Sequence, residues 1–302
     1  PLVMAILKSE ANESERIQIF QRIERFIFVA FRMTSARANY RSSEFYNAAR
    51  ALDRCEIDFE AISKKLDEDV SFTFNENGTL RSSEFYNLVF KRFANVNGSG
   101  YYGWSGLRYF LYEYELGLLN ESRHKKVDWN DLLKTERDHI SIEHTYPQTE
   151  TKEWALAFAG VKPENRRYYI GSLGNLLLLS MSINSSLQND NFGDKRHAKY
   201  DPAGRKIRNG YSDGSHSEIE VSQNASWGPG QIRARGLQLL RFMETRWNFA
   251  FANDEEREKL LFLSFEEDDT ADDRSTETQA DELSPCRETF AQSPELGSPR
   301  SR

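Results

Sequence analysis

Through the first 125 residues of this chain, apolar positions recur at helical spacing. Between residues 13 and 34, Ile17, Phe20, Ile23, Ile27, Phe28 and Phe31 fall where one broad helical face can carry them, which predicts a long amphipathic helix. Similar patterns predict helices over about 42–54, 56–66, 82–94 and 104–116. The heptapeptide Arg-Ser-Ser-Glu-Phe-Tyr-Asn occurs at 41–47 and again at 81–87. Ser ahead of Glu suits a helix start in both copies. Two copies fall short of the three or so units a solenoid needs, so reuse of a helix entry fits better than a duplicated repeat. Tyr101, Tyr102, Trp104, Tyr109, Phe110, Tyr112 and Tyr114 crowd together. They suit packing between helices better than a platform for stacking bases.

The pattern changes from residue 139. Ile140 and Ile142 alternate with Ser141 and Glu143, which predicts a short strand. Tyr168–Ile170 and Leu173–Leu179 carry further strand signals, with Gly171 and Gly174 as turn points. Glu150 and Glu153 suit the start of a helix near 152. Asn184–Leu187 and Asn191–Tyr200 read as a short helix and its extension. A long helix is predicted from Pro229 to Trp247, with Pro229 in its first turn and Ile232, Leu239, Leu240, Met243 and Trp247 as its buried stripe. After Leu263 large apolar residues become scarce, and disorder is expected. The expected organisation is therefore α+β and mostly α, with an all-helical spacer or interaction region at 1–125, a second domain at 126–263 and an acidic tail at 264–302.

Charge alters this picture in one respect. The net charge of −7 resides in the tail, where eleven acids face four arginines from Ser264 onward, and the rest of the chain is neutral. Between Lys152 and Arg208 ten bases face five acids, a balance compatible with a polyanionic partner. No apolar run approaches the ~18 residues needed to span a bilayer, so no membrane association is expected. Cys55 and Cys286 are too few and too far apart for a disulfide framework or a cysteine zinc site, and the reducing cytoplasm is the default compartment. The start at Pro1-Leu2-Val3 shows no basic leader and fits a piece of a longer protein.

The chemically informative stretch is His-Ile-Ser-Ile-Glu-His-Thr-Tyr-Pro-Gln at 139–148, followed by Gly-Asn-Leu at 174–176 and an Asn-rich run from Asn184 to Lys195. Phosphodiester hydrolysis needs an activated water, neutralised phosphate charge and a stabilised leaving oxygen. An oriented, neutral histidine can deprotonate the water, and one divalent ion can serve the other two needs. A hard ion takes oxygen ligands and needs only one or two from protein when phosphate and water complete its shell. Glu143 and the side-chain oxygen of Asn184 would suffice, although Asn189 and Asn191 are close enough to be alternatives. Adjacent residues of a strand point to opposite faces, so Glu143 can face a metal while His144 faces the water. Asn175 can hold the loop that carries His144 or orient the imidazole. His139 is a second ligand or, more simply, a strand-edge residue.

Ile-Glu-His-x-x-Pro-Gln, Gly-Asn-Leu-x-Leu-Leu and Asn-x-x-Leu-x-Asn-x-x-Phe-x-x-Lys together resemble the HNH, or His-Me finger, endonucleases. They are most similar to the C-terminal nuclease domain of GmrSD-type restriction proteins, over about 139–250. Trp227, Ile232 and Arg235 match residues near the end of that domain. The resemblance implies a ββα-metal core wrapped by helices, using one Mg²⁺ or Mn²⁺ to cleave foreign or modified DNA in restriction or anti-phage defence. It implies His144 as general base, Asn175 as the structural asparagine, Glu143 and Asn184 as metal ligands, and Lys195 close to phosphate. Arg196, Arg166, Arg167, Arg205 and Lys206 are further candidate DNA contacts. Thr145-Tyr146 replaces the usual aliphatic pair and Leu177 a common Thr, but neither departure removes a proposed catalytic group. No Asp-Gly-Gln-Gln-Arg motif is present, so the nucleotide-linked N-terminal domain of full-length relatives is expected on another segment or partner subunit. Two rival readings are a catalytically inactive nucleic-acid-binding module and a protein-interaction subunit of a defence complex. A ribonuclease would use the same base and metal.

Overall fold

The computed structural model describes residues 1–94, 98–122, 141–179, 187 and 189–265. A two-turn helix α1 (Leu2–Lys8) leads to Asn12, which caps α2 (Glu13–Arg32). The Asn12 side chain accepts from the Glu15 amide at 3.0 Å and Glu15 returns a bond to the Asn12 amide at 2.9 Å, so two otherwise unpaired donors are satisfied. Helix α2 buries Ile19, Phe26, Phe28, Val29 and Ala30, whereas Ile17 and Ile27 stay exposed. The buried surface is thus not the single face predicted. The helix packs on two partners: Ile19, Phe26 and Ala30 join one core and Phe28 and Val29 another.

Asp58 caps α4 (Phe59–Val70), which lies between α3 (Ser42–Asp53) and α5 (Ser82–Phe93) in sequence. Both copies of the repeated heptapeptide begin helices, as α3 and α5, but their serines do not cap them. Ser42 and Ser82 already lie inside the first turn, and the cap positions fall to Arg41 and Arg81 without side-chain bonds. The Ser82 hydroxyl instead bonds Glu256, a contact made by tertiary packing. Helix α6 (Leu107–Ser122) follows. Tyr101, Trp104, Phe110, Tyr112 and Tyr114 are buried among helices, but Tyr102 remains 44 % exposed.

Strand β1 (Ser141–His144) reaches, through α7 (Lys152–Ala157) and α8 (Pro163–Ile170), its antiparallel partner β2 (Leu176–Leu179). Tyr168–Ile170, predicted as a strand, forms the last turn of α8. Pro163 and Glu164 in the first turn start a helix that continues through the apolar residues, and so short an apolar run does not by itself distinguish the two states. All four leucines of β2 are buried, with Leu176 and Leu178 in one core and Leu177 and Leu179 in another. Beyond β2 come α9 (Phe192–Arg196), the pair β3 (Lys199–Tyr200) and β4 (Lys206–Arg208), then α10 (His216–Ser222), α11 (Pro229–Trp247) and α12 (Asp254–Leu261). The result is an α+β fold that is mostly helical. No described helix is long and apolar enough to cross a membrane.

Residues 1–265 form one compact unit. The division expected at 125/126 falls outside the described residues, and packing on its two sides is continuous. One core joins Phe28 and Phe110 to Leu176, Leu239 and Trp247. The Trp247 indole stacks on Phe28 with ring centres 3.5 Å apart, and its N–H donates to Glu24 at 2.7 Å. The expected tail and the helix expected at Asn184–Leu187 lie almost wholly outside the described residues.

Glu115 of α6 makes a second link. Its buried carboxylate accepts from the backbone amides of His216 at 2.7 Å and Ser217 at 2.9 Å, the first two of α10. A carboxylate there satisfies two unpaired donors at the positive end of the helix. Glu115→Ala is expected to lower stability by about 1–2 kcal/mol, read as a fall in denaturation midpoint. An unchanged midpoint would show that α10 needs no anchor on α6.

Candidate active site

His144 is the last residue of β1 and pairs with Leu176, directly after Asn175 on the partner strand. The chain beyond His144 is held by Asn175, whose side chain is fully buried. The Asn175 carbonyl oxygen of the backbone accepts from the Thr145 amide at 3.0 Å. Its side-chain oxygen accepts from the Tyr146 amide at 2.7 Å and from the Trp227 indole at 3.3 Å. Its side-chain NH₂ donates to the carbonyls of Tyr146 at 2.9 Å and Ile170 at 3.0 Å. One amide thus ties the segment after β1, the end of α8 and the entry to α11 to one point.

Gly174 is required by close approach. A Cβ there would lie 1.9 Å from the carbonyl oxygen of Ile232 and 2.7 Å from the amide nitrogen of Gly236, both in α11. Buried Arg235 then donates to the carbonyls of Gly174 at 3.0 Å and Leu176 at 2.7 Å. Trp227, Ile232 and Arg235 therefore all act on the turn at residues 173–175, which presents Asn175.

Glu143 points towards Lys195 and Tyr211. Its Oε1 lies 2.7 Å from the Lys195 ammonium and 3.5 Å from the Tyr211 hydroxyl, and no described residue donates to Oε2. Lys195 also donates to the carbonyls of His144 at 3.1 Å and Thr145 at 3.2 Å. All three ammonium protons have acceptors and the side chain has no solvent exposure. This placement contradicts the phosphate contact expected of Lys195: a fully buried ammonium engaged by the strand end cannot reach DNA. Burial pulls its pKa below the usual lysine range, against the opposing pull of Glu143.

The His144 ring is mostly buried. Its Nε2 lies 3.5 Å from the Gln148 amide nitrogen, and its ring centre is 4.8 Å from that of Tyr102. Burial, and then the nearby Lys195 charge, lower its pKa to about 4, so the imidazole is neutral at neutral pH. Tyr102 arrives from the helical half of the chain because the turn at 100–103 docks on residue 171: the Tyr101 amide donates to the Gly171 carbonyl at 2.9 Å. Tyr102 and Tyr211 carried no sequence signal for this role, because pairings of residues so far apart leave no local period. Gln148 lay within the quoted motif, four residues after His144, without an assigned function.

The remaining candidates separate by environment. Arg166 is turned inward, donating to Glu150 at 2.7 Å and to the carbonyls of Val161 and Phe158. Arg196 is half-buried and donates to the Ser222 carbonyl at 2.9 Å. Both hold protein rather than stand free for DNA, a distinction that counting charges cannot make. Arg167, Arg205 and Lys206 are exposed. Asn191 caps α9 through the Asp194 amide at 2.9 Å, and Asn189 is exposed. Asn184 and His139 lie outside the described residues.

A family model described as GmrSD restriction endonucleases, C-terminal domain, matches residues 88–242, just over half of the chain. The chain belongs to that family, a class of restriction endonucleases. The match begins within α5, so Tyr102 and all of α6 lie inside it. No curated protein and no solved structure matches the chain.

Asn175→Ala would leave the Tyr146 amide, two carbonyls and the Trp227 indole without their partner. A loss of about 3 kcal/mol or more in unfolding free energy is expected, measured by denaturant titration. A loss below about 1 kcal/mol would mean that these groups find other partners.

Proposed function

We propose that this chain is a divalent-metal-dependent, HNH-type DNA endonuclease that acts in restriction of foreign or modified DNA in the cytoplasm. The observation that carries the reading is a neutral, mostly buried His144 at a strand end, fixed by Asn175 and adjacent to Glu143. Family membership supports the nuclease class, and the geometry supports the assignment of roles within it.

In this reading His144 accepts a proton from the attacking water. Its lowered pKa keeps it unprotonated, and the negative phosphodiester of bound DNA raises its basicity towards the working pH. Asn175 keeps the strand end, and hence the imidazole, in register. Tyr102 and Gln148 limit the ring's rotation and its access to solvent.

Glu143 fits as a metal ligand because it is a partly exposed carboxylate with Oε2 unengaged by described residues, while Lys195 fixes Oε1. Glu143 with the Asn184 carbonyl oxygen would hold Mg²⁺ or Mn²⁺, and Asn191 is already committed to its helix. When bound, the ion supplies charge neutralisation on the phosphate and a hold on the leaving oxygen. In this reading substrate and water complete the shell. We assign phosphate contacts to Arg167, Arg205 and Lys206.

One observation favours a second reading. The Lys195 pairing places a positive charge beside the carboxylate that would receive the ion, as suits an inactive nucleic-acid-binding subunit. Metal binding without metal-dependent cleavage would select that reading.

His144→Ala is expected to reduce plasmid nicking with Mg²⁺ by about 10²–10⁴-fold. Activity retained in the purified variant would remove His144 from the reaction. The free-enzyme pKa lies below the ordinary 6.5, so the base remains competent as pH falls below neutrality and is lost as pH passes down through about 4. kcat/KM should therefore hold level to about pH 5 and then decline; a decline centred near 6.5 would contradict the burial argument. Glu143→Gln is expected to weaken Mg²⁺ or Mn²⁺ binding by calorimetry, and unchanged binding would exclude it as a ligand.

A further inference from the structure

Strands β3 and β4 form a short hairpin that the reading above uses only for the phosphate contacts of Arg205 and Lys206. Its two ends are tied to the candidate site. Lys195, four residues before β3, and Tyr211, three residues after β4, both reach Oε1 of Glu143. Its base is rigid. Arg208 is buried against Asp190 at 2.7 Å and the Asp194 carbonyl at 2.8 Å, and Gly210 lies so close to the backbone of Arg196 and His197 that a Cβ would approach within 2.5 Å.

Its tip is ordered as well. The Asp201 carboxylate accepts from the amides of Ala203 at 2.9 Å and Arg205 at 2.8 Å, and Gly204 takes the left-handed conformation with φ +79°. The turn is therefore set before any ligand arrives.

This hairpin displays two large apolar side chains to solvent. Among the described residues from 141 onward, the exposed large hydrophobics are Leu156, Tyr200 and Ile207, and two of these three lie on the hairpin, at 58 % and 62 % exposure. Lys199 pairs with Arg208 but Tyr200 with Lys206, so the register slips and Ile207 is the extra residue of a bulge. A bulge re-aims a side chain, and here it leaves Ile207 in solvent. Around the two apolar side chains stand Lys199, Arg205 and Lys206, all exposed. The local acids are engaged: Asp201 organises the turn and pairs with Arg205, and Asp213 pairs with Lys206 at 3.0 Å. Ion pairs this exposed are weak and readily exchanged for phosphate.

We propose that the β3–β4 hairpin enters a groove of duplex DNA beside the scissile phosphate. Tyr200 and Ile207 pack against base or sugar edges while Lys199, Arg205 and Lys206 meet the flanking phosphates. The inference rests on the DNA-nuclease reading and adds the element that grips the duplex. A two-stranded ribbon fits a major groove of about 12 Å. Asp201 is six residues on from Lys195, so the tip lies within roughly 20 Å of the Lys195 backbone along an extended chain. Apolar side chains on such a ribbon have a function against DNA that they lack in water, as wedges or as contacts with base edges.

The test uses the full chain and a labelled 30-base-pair duplex, a length chosen from the ~20–30-base-pair scale of deformable protein sites. Binding is measured in the His144→Ala background and cleavage with His144 intact. Tyr200→Ser with Ile207→Ser is expected to weaken duplex Kd about tenfold or more, with kcat at saturating DNA within about twofold and an unchanged melting temperature. Arg205→Gln with Lys206→Gln should reduce the slope of log Kd against log salt by about two. Unchanged Kd in the first pair together with an unchanged salt slope in the second overturns the proposal, as does weakening seen with single strands but not with duplex. A parent that nicks DNA while both pairs match it removes the hairpin alone. A parent that neither binds nor nicks DNA removes the nuclease reading, and the hairpin's role with it.

Discussion

The position of His144 depends on one buried amide. Asn175 has no solvent exposure, and its side chain meets the two polar groups of Tyr146, the carbonyl of Ile170 and the indole of Trp227. A polar group buried so completely is stable only when its donors and acceptors are matched. That requirement fixes the chain immediately after His144 relative to β2. Gly174 and Arg235 serve the same end. The first lets α11 reach the turn, and the second closes the carbonyls that the turn exposes. The family motif at 174–176 and the Trp, Ile and Arg some fifty residues later are therefore parts of one support.

The helical half of the chain contributes to this support. Glu115 anchors α10, Trp247 stacks on Phe28 across the junction, and the turn at 100–103 brings Tyr102 against His144. The family match beginning at residue 88 agrees with this continuity. These contacts bury aromatic surface and charged groups that would lack partners on either fragment. The basis of a low-pKa histidine follows from the same arrangement, since its burial needs walls from both halves.

The cations from Lys152 to Arg208 divide by burial rather than by sequence position. Within the basic stretch, Lys195 and Arg208 are interior groups paired with Glu143 and Asp190, and Arg166 braces a loop. Arg167, Arg205 and Lys206 face solvent. Interior cations of this kind contribute to placing carboxylates and carbonyls rather than to the field a polyanion meets. With Lys195 and Arg208 interior, Lys199, Arg205 and Lys206 of the β3–β4 hairpin are three of the six exposed cations of this stretch, beside Lys152, Lys162 and Arg167.

Much was legible from the sequence itself. The spacing of apolar residues located α2, α3, α5, α6 and α11, because helical period is a local property repeated over many residues. The motif around 139–148 and 174–176 located the paired strands, and its resemblance identified the family that the match at 88–242 establishes. Tertiary structure decided the rest. It made Tyr168–Ile170 helical, moved Ser42 and Ser82 inside their helices, turned two sides of α2 inward, and placed Lys195 in the interior. It also brought Tyr102, Gln148 and Tyr211 to the site. Local sequence determines periodicity and residue chemistry, but whether a given side chain meets solvent, a carbonyl or a histidine depends on partners 50 to 100 residues away, which only the packed chain brings into reach.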